Sequence, residues 1–397
     1  MSDIADALPL LAQPPRPRPA SVNYGFSGDL ADLRACSAAI RRGSKSFHLA
    51  SLLLPVRVRQ ATHALYGFCR HSDDLVDDPR AGPDALDRLR DRLEAIYTGS
   101  PAAHPIDRAF ARVVHDHAIP KSAPLALLDG FAMDMAGRRY ESIAELKDYA
   151  TGVAASVGIM MAMVMGSGDA PSLARAADLG IAMQLTNIAR DVGEDARNGR
   201  LYLPRAWLRE AGIDPDAFLR RPIFSPALAG VIRRLLEEAD HHYRLGHAGI
   251  ERLPPDCRLA IRTAALIYRE IGARIAAHGH DSVSHRAHTP LTRKLALMLS
   301  ARHTDAALPG PGKVDLGKID PGVPPDPAAA VLVSQAAATF ALTRKAGRPE
   351  AAQDSAPPTA ASAIERVTLI MMRVEMSARE ENRARRLASR RKAEALA

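Results

Sequence analysis

The stretch QLTNIARDVGED, residues 184–195, decides the fold. Gln184, Asn187, Asp191 and Asp195 step by three, four and four, so on a helix all four project from one face. Each can offer an oxygen to a metal ion or to its waters. Ile181, Met183, Leu185 and Ile188 surround them, with Arg190 and Glu194 flanking the stripe. A polar stripe set in so apolar a helix is not merely a solvated face.

A second stretch, YGFCRHSDDLVDD at 66–78, follows the same logic. Asp73 and Asp77 are four apart and face the same way, with Tyr66 and Arg70 on that stripe in the preceding turns. Like charges at this spacing repel by a few tenths of a kcal/mol, and an octahedral dication that shares them with a phosphate relieves the repulsion. For this segment alone, a solvated acidic helix end is an equally good reading. Two such segments in one chain predict two facing helices that grip magnesium ions and a diphosphate between them.

The rest of the chain agrees with a helical protein. Of 397 residues, 47% are hydrophobic and 25% charged, which excludes a wholly disordered chain. Aromatic residues are only 4%, and Ala, Leu and Arg outnumber the strand formers. Apolar residues recur at helical spacing over roughly 30–41, 56–78, 84–97, 105–117, 123–137, 142–166, 171–196, 226–250 and 256–278. These predict one all-α domain over 30–303. Residues 1–29 read as a disordered leader without the features of a signal peptide, and 304–330, dense in Pro, Gly and Asp, as a linker. Residues 331–397 read as a C-terminal helical extension with a basic end, its final helix opening near Ala361.

Cys36, Cys69 and Cys257 are too few and too scattered for a disulfide framework or a structural zinc site, which predicts a cytoplasmic protein. The most apolar window, Val153 to Met165, is short of the roughly 20 residues that span a bilayer. His280, His285 and His288 crowd a stretch punctuated by Gly, Ser and Pro, where a solvated loop is the better reading than zinc. The net charge of +8 and the Arg-rich end come without an aromatic platform or a nucleic-acid motif, so no nucleic-acid partner is expected.

With these residues in view, the chain resembles the squalene and phytoene synthase family, and within it the bacterial phytoene synthases. The resemblance is carried by GSKSFHLAS (43–51), YGFCRHSDDLVDD (66–78), YATGVAASVG (149–158), QLTNIARDVGEDARNGRLYLP (184–204) and IYREIG (267–272) with Arg286 beyond it. These runs stand in family order across about 30–300. The resemblance implies an isoprenoid synthase-type helical bundle with a central cavity, and a prenyltransferase that joins two geranylgeranyl diphosphates head to head.

Residue by residue, it implies that Asp73, Asp77, Asp191 and Asp195, aided by Asn187, hold two to three magnesium (or manganese) ions, with Asp74 as a further participant. Arg70, Arg190, Ser44, Lys45, Ser46, Tyr268 and Arg286 would bind diphosphate oxygens, and Tyr66 and Phe47 would face the reacting carbons. Tyr149, Val153, Val157 and Gly158 would line the hydrocarbon channel, with Gln184 near its mouth. Ala155 stands where many relatives have Gly, which narrows a helix contact. No NADPH is expected. A squalene-type synthase acting on farnesyl diphosphate and a non-catalytic assembly protein of the same fold are the competing readings; the second has no need of the four carboxylates. Oily substrates and products make a membrane surface, and enzymes downstream in carotenoid synthesis, the expected partners.

Overall fold

The longest element forms where the stripe 184–195 predicts it. Asp169 caps its start, accepting from the Ser172 backbone N–H at 3.1 Å and from the Ser172 hydroxyl at 2.7 Å, and Pro171 occupies the first turn. The helix then runs without a break to Arg197. At 28 residues it is about 42 Å long. It ends at Asn198, followed by Gly199 at a φ of +76°, a conformation that disfavours any side chain.

The computed structural model describes residues 26–78, 80–302 and 323–345, and among them there is no strand. The first half is α1 (Phe26–Gly43), α2 (Lys45–Ser51), α3 (Val56–Asp77), α4 (Ala85–Tyr97), α5 (Pro105–Asp116) and α6 (Ser122–Met135). Next, α7 (Ile143–Ala150) passes through a π-helical turn (Thr151–Ala155) into α8 (Ser156–Val164). The long central helix is α9 (Ala170–Arg197), followed by the short α10 (Arg205–Glu210) and α11 (Pro215–Arg220), then α12 (Pro226–Ala248), α13 (Pro255–Ala277), α14 (Leu291–Ser300) and α15 (Pro327–Lys345).

The central helix α9 is packed by α8, α12, α13 and α15, while α3 lies against α1 and α5. Phe68 of α3 stacks on Phe110 of α5 with centroids 4.1 Å apart. Two buried acids tie this half together. Asp32 accepts from Arg108 at 2.6 Å and Arg112 at 3.2 Å, and Asp107 is gripped by Arg92 at 2.7–2.9 Å. Buried carboxylates survive because forked donors satisfy them. They fix α1 and α4 on α5, and so the direction of α3.

The nine predicted helices all form, with ends shifted by a few residues. The first begins at Phe26, inside the expected leader, and α15 (Pro327–Lys345) forms where a short Ala-rich helix is expected over about 328–344, its start overlapping the end of the expected linker, where Asp326 accepts from the Ala328 N–H at 3.0 Å. The helix expected near 361 lies outside the described residues. The short helices α2, α10, α11 and α14 lack enough turns to show a periodic pattern and are invisible to a reading by spacing. The uninterrupted helix expected over 142–166 contains the π turn. Gly152 packs there on Ala126 and Gly130 of α6, with a β-carbon at 152 standing 3.0 Å from the Ala126 carbonyl oxygen, and the Ser156 hydroxyl donates to the Gly152 carbonyl at 2.5 Å. No described helix is long and apolar enough to cross a membrane.

The π turn and α9 touch almost backbone to backbone. A β-carbon at Gly180 would stand 2.6 Å from the Ala154 carbonyl oxygen and 2.7 Å from the Ala155 α-carbon. Gly180 therefore supplies the space that Ala155, in place of glycine, takes away. Gly180→Ala should lower stability by about 1–3 kcal/mol through overpacking. Gly230→Ala, on a face of α12 with nothing within 4 Å, should raise it by about 0.5–1 kcal/mol. Thermal unfolding of both variants checks the opposite signs.

Candidate active site

Between α2, α3, the π turn, α8, α9 and α13 lies an apolar cavity of about 320 Å³. Val153, Val157, Gly158, Met161, Leu179 and Met183 form its walls. Gln184 and Asn187 stand on α9 toward the acidic end, and Phe47, Tyr66 and Tyr268 complete the mouth. Phe47 stacks on Tyr268 with centroids 4.8 Å apart and tilts against Tyr66 at 6.4 Å. Carbon and aromatic faces thus meet polar groups at one end of a hydrocarbon-shaped space.

Beyond that mouth stand the carboxylates. Asp73 and Asp74 are paired with Arg70 at 3.1 and 2.6 Å. Asp191 is held by Arg190 at 2.5–2.8 Å and by Arg286 at 2.7 Å, and Arg286 also reaches Glu194 at 3.1 Å. Arg200, from the loop after α9, donates to Asp77 at 3.0 Å and so links the second motif to the first. Asp195 makes no hydrogen bond or ion pair through its carboxylate among the described residues.

The charges are unequal in consequence. Burial, then the neighbouring Asp77, pushes the Asp73 carboxyl up to about 6 against the pull of Arg70. Burial and Asp191 push Asp195 up to about 7, with Arg200 opposing. For Asp191 burial acts upward too, but the hydrogen bonds from Arg190 and Arg286 outweigh it and hold the group below the usual range. Burial raises Asp134 as well, although two phenols donate to it. Asp134 of α6 raises both Asp73 and Asp195, which shows that the two motif helices converge on one cluster.

Among the described residues no three His, Cys, Asp or Glu form a ready-made metal shell. The donors nonetheless suit a hard dication that takes one or two carboxylates and fills its remaining positions with phosphate oxygens and water. Asn187 supports this fit, since its side-chain oxygen is buried without a hydrogen-bond partner on the stripe between Gln184 and Asp191. His280, His285 and His288 likewise do not fall into any group of three such residues among the described residues.

The family model for squalene/phytoene synthase matches residues 40–293. The chain belongs to the squalene/phytoene synthase family. It is 48% identical over 318 residues to a phytoene synthase of Cereibacter sphaeroides, covering 77% of this chain and 88% of that protein. It is 49% identical over 274 residues to a phytoene synthase of Rhodobacter capsulatus, covering 68% and 81%. Among solved structures it resembles a dehydrosqualene synthase in complex with ligand, at 30% identity and a TM-score of 0.64, over 70% of this chain and 97% of that one. The fold is accordingly the isoprenoid synthase helical bundle.

Most of the residues singled out in the sequence come together. Phe47, Tyr66, Val153, Val157, Gly158, Gln184, Asn187 and Tyr268 line the cavity. Arg70, Arg190 and Arg286 surround the acids. Ser44 caps α2, accepting from the Phe47 N–H at 3.2 Å, and lies beside the Tyr268 phenol. Ser46 is half-buried, and Lys45 is exposed near Lys294, whose ammonium is pushed down by burial and then by Lys45.

One expected wall residue stands elsewhere. Tyr149 is not on the cavity wall; its hydroxyl donates to Asp134 at 2.8 Å, beside the Tyr202 hydroxyl, which donates to the same carboxylate at 2.7 Å. The packing of α7 against α6 turns that ring toward the acids. Asp134, Arg200 and Tyr202 were missed by the spacing argument. Arg200 and Tyr202 lie inside the run 184–204 and could have been found there, whereas Asp134 has no acidic residue three or four positions away on its helix. Tyr202→Phe should cost about 1.5–3 kcal/mol, the contribution of one hydrogen bond to a charged acceptor. Urea denaturation measures it, and an unchanged midpoint would show that Asp134 does not depend on this partner.

Proposed function

We propose that this prenyltransferase is a phytoene synthase, which condenses two molecules of geranylgeranyl diphosphate into phytoene without a reductant. The observation that carries the reading is an apolar cavity whose mouth opens onto carboxylates and forked cations. In the first half-reaction C1 of one substrate leaves its diphosphate and joins the C2–C3 double bond of the other, giving cyclopropyl prephytoene diphosphate and releasing a proton. In the second, that diphosphate leaves, the ring rearranges, and loss of a proton gives phytoene.

Asp73, Asp77, Asn187, Asp191 and Asp195 would hold two to three magnesium or manganese ions, whose chemistry is to neutralise charge on the departing diphosphate. Arg70, Arg190 and Arg286 offer planar forks suited to phosphate oxygens. These forks rest on Asp73, Asp74 and Asp191, and substrate would draw them off. The cavity walls keep water from the carbocation, and the faces of Phe47 and Tyr66 can stabilise it. Small Ala50 and Ser51 line the cavity, and the Ser51 hydroxyl is tied back to the His48 carbonyl at 2.7 Å and to His63 Nε2 at 2.9 Å, leaving room for the longer chain.

The substrate and product being oily, the enzyme would work at a lipid surface on the cytoplasmic side and pass its product to later carotenoid enzymes. Val331 and Leu342 are exposed on α15, whose last turn carries Arg344 and Lys345, a composition suited to an anionic bilayer. Co-sedimentation with anionic vesicles should be weaker for a chain ending near residue 345 than for the full chain; equal binding would place any membrane contact outside the basic end.

With magnesium and geranylgeranyl diphosphate, and without NADPH, the purified protein should release a C40 hydrocarbon, and chelation should abolish this. Asp73→Asn and Asp191→Asn should each lower turnover about a hundredfold or more with helical content unchanged. Ser51→Phe should shift preference toward farnesyl diphosphate. Faster turnover of farnesyl diphosphate by the unaltered enzyme, or a need for NADPH, would give the assignment to a squalene-type synthase instead.

A further inference from the structure

The far end of the cavity carries a charge. Arg175 lines it although only 2% exposed, together with Ser172, Gly249, Ile250 and Leu253. Along α9 it stands twelve residues before Asn187, about 18 Å from the polar mouth. A guanidinium in an apolar wall is costly unless its donors are satisfied. Arg175 Nε pairs with Asp178 at 3.0 Å, and Nη2 donates to the carbonyls of Val323 and Pro324 at 3.0 and 3.3 Å. The contact with Asp178 is an ion pair without hydrogen-bond geometry, and both Nε and Nη1 are buried with no hydrogen-bond partner among the described residues.

The two carbonyls belong to a segment beyond the residues that the family model matches. That segment is itself fastened. Asp326 pairs with Lys147 of α7 at 2.8 Å and lies 3.7 Å from His242 Nε2, while His242 Nδ1 bonds Asp178 at 2.9 Å. Phe340 of α15 fills the space over Gly168, where a β-carbon could not stand. On the cavity side, Gly249 has no room for a side chain because the Arg175 stem occupies it. The Arg175 side chain is thus clamped, its stem against the α12–α13 turn and its guanidinium against Asp178 of α9 and the Val323 and Pro324 carbonyls.

We propose that Arg175, held by residues 323–326, is a specificity-determining end stop that limits the prenyl chain to four isoprene units. The proposal rests on the reading of this cavity as the prenyl site. A unit of four carbon–carbon bonds of about 1.5 Å spans roughly 5 Å in zigzag, so four units span about 20 Å, close to the distance from mouth to Arg175. A fifth unit would press alkyl groups on a buried charge, whose unpaired Nη1 faces loss of any water it holds. An apolar side chain at 175 would accept that unit.

The test compares binding of unreactive thiolodiphosphates with 15, 20 and 25 carbons to the full-length protein in magnesium, by calorimetry. Unaltered protein should bind the 20-carbon chain most tightly. Arg175→Met should raise the 25-to-20 affinity ratio about tenfold, the scale on which pockets discriminate by size, and Arg175→Lys should leave it near the original value. Lys147→Met, which loosens Asp326 without entering the cavity wall, should move the ratio in the same direction by less, and serves if Arg175→Met does not fold. An unchanged ratio in folded Arg175→Met, or in folded Lys147→Met where that variant stands in, overturns the end stop while leaving the prenyl site intact. Failure of the unaltered protein to bind any of the three overturns the prenyl reading and the end stop with it.

Discussion

Mutual repulsion among carboxylates is the constraint that the rest of the molecule is built to sustain. Asp73, Asp77, Asp134, Asp191 and Asp195 come from three helices, and burial together with like charge lifts Asp73 and Asp195 far above ordinary acids. No local preference would gather them. Helix packing does, and the free energy that holds α3, α6 and α9 in place comes from the apolar surface behind the acids.

Two devices make that convergence tolerable. The first is glycine: Gly180 and Gly152 let α9 and the π turn approach their neighbours nearly backbone to backbone, so that the cavity mouth and the acids share one rim. The second is arginine. Arg70, Arg190, Arg200 and Arg286 lie on the acids without permanently burying them, since three of these four are themselves exposed. Exposed ion pairs are weak and exchangeable, which is what a site for a dication and a diphosphate needs. Buried pairs such as Asp107 with Arg92 do the opposite task and keep the scaffold fixed.

The same distinction separates the two ends of the cavity. At the mouth, charge is loosely held and available. At Arg175 it is enclosed, fastened through Asp178 and the Val323 and Pro324 carbonyls, and coupled by Asp326 to Lys147 and His242. A hydrocarbon lying between them would meet polar groups only at its two ends, and its length would be read as a distance along α9.

The helices and the two acidic stripes were legible because both follow from a period of 3.6, which any reader of spacing can apply to Asp73 and Asp77 or to Gln184 through Asp195. The family, too, was carried by runs of residues in order. Asp134 was not legible: it has no partner on its own helical stripe, and only the packing of α6 against α3 and the π turn makes it part of the cluster. The direction of the Tyr149 ring depends likewise on Asp134 across the α6–α7 contact, and the π turn on the close approach of Gly152 to Gly130. Nothing in the sequence singles out Arg175 and Asp178, three residues apart, yet they are among the most buried charges of the described residues. Local periodicity determined which residues share a face; tertiary packing decided what each face meets, because burial and electrostatic coupling are properties of neighbours distant in the chain.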